Sequence, residues 1–125
     1  MDFKEVATGY VLLEGPRADG DAIWFGDPIL GGLYRLNPDG KVDRFVPEMM
    51  RIAGACLNAD GAVICSAAGG VAWFNPKTGK SGMVVDGIDG KPIIGANDIF
   101  PDGKGGLYFG TMSLTSDNAG EPPKP

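Results

Sequence analysis

Two side chains with hard oxygen donors, Glu14 and Asn97, stand 83 positions apart at the ends of apolar runs. Glu14 closes VLLEGP, residues 11–16, and a carboxylate at the end of a core-like run is rarely buried unless something pairs with it. Asn97 follows the run Ile93-Ile94-Gly95-Ala96. Carboxylates and amide carbonyls are ligands that calcium takes in sets of six to eight, without histidine. The competing reading is that both side chains hydrogen-bond neighbouring backbone and terminate their strands.

The sequence contains no histidine. This excludes Ser-His-Asp and Cys-His nucleophile systems, a histidine general base and every histidine-containing zinc site within the chain. The only cysteines, Cys56 and Cys65, cannot supply four thiolates, and their apolar surroundings predict two free buried thiols. What chemistry remains belongs to carboxylates, amides, hydroxyls, lysine or a hard cation.

Residues so far apart need a framework to bring them together. The 125 residues, 43% hydrophobic and 22% charged, have the balance of a globular domain. A net charge of -5 and the lack of any Lys/Arg stripe argue against a nucleic-acid partner. No apolar run approaches the roughly 18 residues of a membrane span, and MDFKEVATGY has no signal-peptide pattern, so the expected location is the cytoplasm with no membrane partner.

Twenty-one glycines and ten prolines leave little room for helices. The segments AIWF (22–25), GLYRL (32–36), AVIC (62–65), GVAWF (70–74), GMVV (82–85) and GLYFG (106–110) are rich in β-branched and aromatic residues. Turn sequences such as NPDG, NADG, NPKTG and FPDG bound them, which predicts an all-β chain. The polar tail SLTSDNAGEPPKP, residues 113–125, reads as an exposed loop.

The punctuation repeats. Asp19-Gly20, Asp60-Gly61 and Asp102-Gly103 are spaced by 41 and 42 residues, and Asn37-Pro38 recurs at Asn75-Pro76 after 38. Each unit of about 40 residues accommodates four short antiparallel strands, the pattern of a β-propeller blade. The units run over approximately 8–48, 49–90 and an incomplete 91–125, one partial propeller occupying residues 1–125. A sandwich of three meanders is the alternative, but it has no need of equal periods.

Counting five residues back from each Asp-Gly aspartate gives Glu14, Ala55 and Asn97. If the runs VLL, IAG and IIG are innermost strands, this position lines the propeller axis, where Glu14 and Asn97 converge on one volume. Trp24, Phe25, Trp73, Phe74, Tyr108 and Phe109 fall on the repeated strands and are expected to pack between blades.

LLEGPR, GLYRLNPDG, GVAWFNPKTGK and GANDIFPDGKGGLYFGTMS together resemble the SMP-30/gluconolactonase/LRE-like family, over residues from about 8 to 115. The resemblance implies a six-bladed propeller, of which this chain covers about three blades, acting as a metal-dependent hydrolase on sugar lactones or related cyclic esters. It implies Glu14 as a ligand of an axial divalent ion, calcium first, with zinc, magnesium or manganese also possible. Asn97 becomes a substrate-binding residue in the same cavity, with Asp98 behind it holding the loop, and Met112 is a candidate for the cavity rim.

Three departures stand out. Ala18 replaces a common large aromatic, and Gly95 replaces an arginine often found two residues before the asparagine. The family's other ligands, an asparagine and an aspartate, belong to later blades, as does the expected general base. Asp102 is expected to be a turn residue. Three outcomes follow: the N-terminal portion of a longer enzyme, a half-ring that pairs with its own copy, or a non-catalytic β-module.

Overall fold

The structure is a computed structural model, and it describes residues 2–112. The expected loop at 113–125 lies outside the described residues. Every regular element among those described is a strand.

The first sheet is a four-stranded antiparallel meander of β1 (Glu14–Asp19), β2 (Ala22–Gly26), β3 (Leu33–Leu36) and β4 (Val42–Phe45). The second repeats it with β5 (Ala55–Leu57), β6 (Val63–Ala67), β7 (Gly70–Asn75) and β8 (Lys80–Val85). A small hairpin, β9 (Gly87–Ile88) and β10 (Lys91–Pro92), leads to a third sheet of β11 (Ala96–Pro101) and β12 (Leu107–Thr111). Asn-Pro turns separate β3 from β4 and β7 from β8. Asn37 N–H donates to Lys41 O at 2.8 Å, and Gly79 N–H to Asn75 O at 2.9 Å.

Apolar side chains from successive sheets interlock. Trp24 and Leu33 of the first sheet share a buried cluster with Ala55, Val63, Cys65 and Phe74 of the second. Phe45 bridges them, its ring centroid 5.4 Å from Trp24 and 5.3 Å from Phe74. A second cluster joins Cys56 and Val71 to Ile93, Ala96 and Ile99 at the third sheet. Each sheet therefore gives a face to its neighbour, as blades of a propeller do. On the far side of the first sheet, Phe25 and Tyr34 stack at 5.3 Å, and Tyr10 from the N-terminal segment lies edge-on to both.

The third sheet differs. Phe100 and Tyr108 are cross-strand partners, and both face solvent, at 64% and 71% exposure. Tyr108 was expected to pack between blades; its face instead has nothing against it among the described residues. The thiols match the expectation of two free buried cysteines. Burial pushes the Cys65 thiol up to about 12. It raises Cys56 too, against the opposing charge of Arg17.

The runs VLL, IAG and IIG are not strands, which corrects the expected placement. They carry no strand ladder and are fastened by other means, and the strands begin at Glu14, Ala55 and Ala96. Val11 and Leu12 N–H donate to Asp27 Oδ2 at 2.8 and 3.4 Å. Ala53 and Gly54 N–H donate to Ser66 Oγ at 2.9 and 2.8 Å. In the third unit backbone does this work, with Ile93 N–H on Asp86 O and Gly95 N–H on Ala68 O, each at 2.9 Å. Asp27 and Ser66, the two buried polar residues among those described, are thus the anchors of the segments that enter β1 and β5.

Candidate functional site

The first strands of the three sheets lie side by side in the order β1, β5, β11, and glycine permits the approach. A Cβ on Gly15 would sit 2.8 Å from both Ala53 O and Gly54 Cα, and Gly15 also has a left-handed φ of +60°. A Cβ on Gly54 would sit 2.8 Å from Ile99 N and 3.0 Å from Asn97 O. No side chain fits between these backbones without displacing one of them. Arg17 Nε fastens β1 to β5 by donating to Ala55 O at 3.0 Å.

Two of the strands are bulged where they meet the site. Glu14 pairs with Gly26 and Arg17 with Trp24, so β1 carries one extra residue over that interval. In β11 the pairs Ala96 with Thr111 and Ile99 with Phe109 enclose an extra residue at Asn97-Asp98. A bulge re-aims side chains next to it. Here the bulges adjoin Glu14 and contain Asn97.

An open cleft of about 230 Å³ lies at this end of the strands. Glu14 from β1, Ala53 just before β5 and Asn97 from β11 all line it. Glu14 and Asn97 thus share one volume, as the repeat predicted, but the middle member of the ring is Ala53 and not Ala55. The cause is where the Asp-Gly pair sits in the hairpin. Asp19 pairs with Ala22, and Asp102 N–H donates to Gly106 O at 3.0 Å; both aspartates close their hairpins at the first residue of the turn or the last of the strand. In the second unit that place belongs to Asn58, whose N–H donates to Ala62 O at 2.8 Å, while Asp60 has moved into the turn. Five residues back from Asn58 is Ala53.

Both candidate residues are half-buried. The Glu14 carboxylate has no protein hydrogen bond or ion pair among the described residues. The strand-terminating reading of Glu14 therefore lacks its partner. Asn97 Nδ2 faces Asp98 Oδ2 at 3.5 Å, which leaves the amide oxygen available. Asp98 is exposed and does not line the cleft. Asp102 is a turn residue as expected, its Oδ1 accepting from Lys104 and Gly106 N–H at 2.7 and 2.8 Å.

Sequence reasoning missed other lining residues. Leu12, Pro28 and Ile29 form an apolar wall, and Arg51 brings a guanidinium. Met112, the rim candidate of the sequence, does border the cleft, and its N–H donates to Gly95 O at 2.9 Å. Ala18 is exposed near the far end of β1 and does not line the cleft, so the missing aromatic there leaves no gap in its wall. Among the described residues no three His, Cys, Asp or Glu side chains cluster as a metal site, and no helix is long and apolar enough to cross a membrane. Glu14 and Asn97 supply two hard oxygen donors, which suit part of a cation's shell but not all of it.

Comparison with known proteins agrees with this architecture. An X-ray structure of a protein named as a candidate gluconolactonase superposes with a TM-score of 0.74 at 23% identity, over 85% of this chain. The chain spans 38% of the length of that protein, as a partial propeller would. The comparison with curated proteins finds no match. The family model described as the SMP-30/Gluconolactonase/LRE-like region matches residues 12–124, and the chain belongs to that family.

Proposed function

We propose that this chain contributes part of the active site of a metal-dependent hydrolase of sugar lactones or related cyclic esters. The observation that carries the reading is the convergence of Glu14 and Asn97 from two different sheets on one cleft, with the Glu14 carboxylate unengaged by protein. Family membership supplies the reaction class. We further propose calcium as the ion and the cytoplasm as the place of action.

Glu14 would hold the ion through its carboxylate, within a donor set completed by groups beyond the two found here. When bound, a divalent cation would polarise an ester carbonyl and lower the pKa of a water beside it. Asn97 would orient substrate through its amide, and the apolar wall of Leu12, Pro28 and Ile29 would exclude water from one side of the ring. A general base contributes roughly 100-fold to 10,000-fold in such a reaction, and neither Asp98 nor Asp102 stands in the cleft to serve as one.

The test is hydrolysis of a panel of lactones with and without calcium, comparing wild type, Glu14→Gln and Asn97→Ala. Activity that needs the metal and disappears in Glu14→Gln is expected. Metal-independent hydrolysis, or equal rates in Glu14→Gln, would remove Glu14 from the mechanism.

One observation favours a second reading. The uncovered pair Phe100 and Tyr108 presents an apolar sheet face of the kind that seeks a partner, so the chain can also act as a self-associating half-ring or a β-module that binds other protein.

A further inference from the structure

The residue two positions before each ring member also lines the cleft, and this second ring is Leu12, Arg51 and Gly95. Arg51 and Gly95 are held alike. Arg51 N–H donates to Pro28 O at 3.3 Å, in the loop after β2, and Gly95 N–H to Ala68 O at 2.9 Å, directly after β6. Both have left-handed backbone, with φ of +62° and +80°. Glycine adopts that region freely and arginine does not, so an arginine held there is an outlier that invites a functional explanation.

The two positions are complementary in space. A Cβ built on Gly95 would lie 3.1 Å from Arg51 Nη1 and 3.0 Å from Met112 O. The guanidinium thus reaches the volume that Gly95 leaves open. Among the described residues it makes no side-chain hydrogen bond and neither of the two ion pairs. Apart from Glu14 it is the only charged group among the described residues that line the cleft.

From this geometry we propose that Arg51 is a specificity-determining residue that reads a carboxylate on the substrate, selecting lactones of sugar acids that carry a second, non-reacting carboxylate. A planar guanidinium meets a carboxylate with two parallel N–H donors, which an uncharged hydroxyl cannot match. Arg51 would hold that second carboxylate while Glu14 serves the reacting end.

The inference rests on reading the cleft as a lactone site, but its test needs no turnover. The chain, with its arginine Nε sites labelled for NMR, is titrated in metal-free buffer with D-glucarate, a dicarboxylate, and with D-sorbitol, its uncharged counterpart. The Arg51 Nε–H resonance should shift saturably with D-glucarate and not with D-sorbitol. Arg51→Gln should weaken D-glucarate binding about tenfold or more, and Arg51→Lys less. No saturable shift in wild type, an equal response to D-sorbitol, or undiminished affinity in Arg51→Gln would each overturn the proposal. The wild-type titration decides even if a variant folds poorly. Failure to hydrolyse any lactone would count against the proposed function alone.

Discussion

Replacing Asp27 by asparagine tests how the site is suspended. Asp27 is fully buried, and its carboxylate accepts four backbone N–H groups. Oδ1 takes Ile29 and Leu30 at 3.0 and 2.9 Å, while Oδ2 takes Val11 and Leu12, tying the segment that delivers Glu14 to the loop that supplies the cleft's apolar wall. Asparagine keeps one acceptor and turns an NH₂ group towards two N–H donors. Hydrogen bonds to a charged group are worth about 1.5–3 kcal/mol each, but Val11 and Leu12 are exposed and water can replace part of the loss. Asp27→Asn should therefore cost about 2 kcal/mol, and Asp27→Ala about 3 kcal/mol.

Acid supplies an independent check. Burial pushes the Asp27 carboxyl up, and the four N–H groups outweigh this, leaving it below the usual carboxylate value. Its folded pKa is thus lower than its unfolded value of about 3.9, so its contribution is complete above that pH and is lost as pH falls below it. Urea unfolding followed by the fluorescence of Trp24 and Trp73, at pH 7 and at steps below pH 5, measures both effects. The wild type should lose stability more steeply than Asp27→Asn as pH falls below about 4. A loss under about 0.5 kcal/mol at pH 7, or parallel acid profiles, would refute the suspension of Glu14 through Asp27.

Other consequences follow from the same packing. Gly54→Ala places a methyl group against Ile99 N and Asn97 O, and should destabilise the fold by about 3 kcal/mol and displace Asn97 resonances in NMR spectra; a silent substitution would mean that β5 and β11 are not in backbone contact. The uncovered face of β11 and β12 predicts that the chain associates at micromolar concentration. Sedimentation should show dimers or larger species that Phe100→Glu and Tyr108→Lys together convert towards monomer, and a monomeric wild type would sink the half-ring idea.

Much of the fold was legible because the repeat is carried by turns and strands that physics makes conspicuous. NPDG and NPKTG mark the β3–β4 and β7–β8 connections, and the segments AIWF, AVIC and GLYFG fall on β2, β6 and β12. The ring position was legible in its first and third members because Asp19 and Asp102 both stand at the closing pair of their hairpins. It was misread at Ala55 because the Asp-Gly motif lies deeper in the second turn, where Asn58 takes the closing place. Apolar runs such as VLL look like strands, yet a side-chain acceptor, Asp27, can replace a ladder, and periodicity carries no trace of that. Arg51 was invisible for a related reason. Its place in the cleft emerges only when the ring is counted from Ala53, two residues later.

The central claim is that β1 and β11 bring Glu14 and Asn97 to one cleft, where Glu14 would hold a hard cation and Asn97 would orient substrate beside it. Calcium titration by calorimetry, on wild type, Glu14→Gln, Asn97→Ala and the double variant, tests it directly. The account expects saturable binding that Glu14→Gln weakens and Asn97→Ala leaves largely intact, the double variant losing no more than Glu14→Gln alone. Undiminished calcium binding in Glu14→Gln, or a loss in Asn97→Ala as large as that in Glu14→Gln, would contradict it.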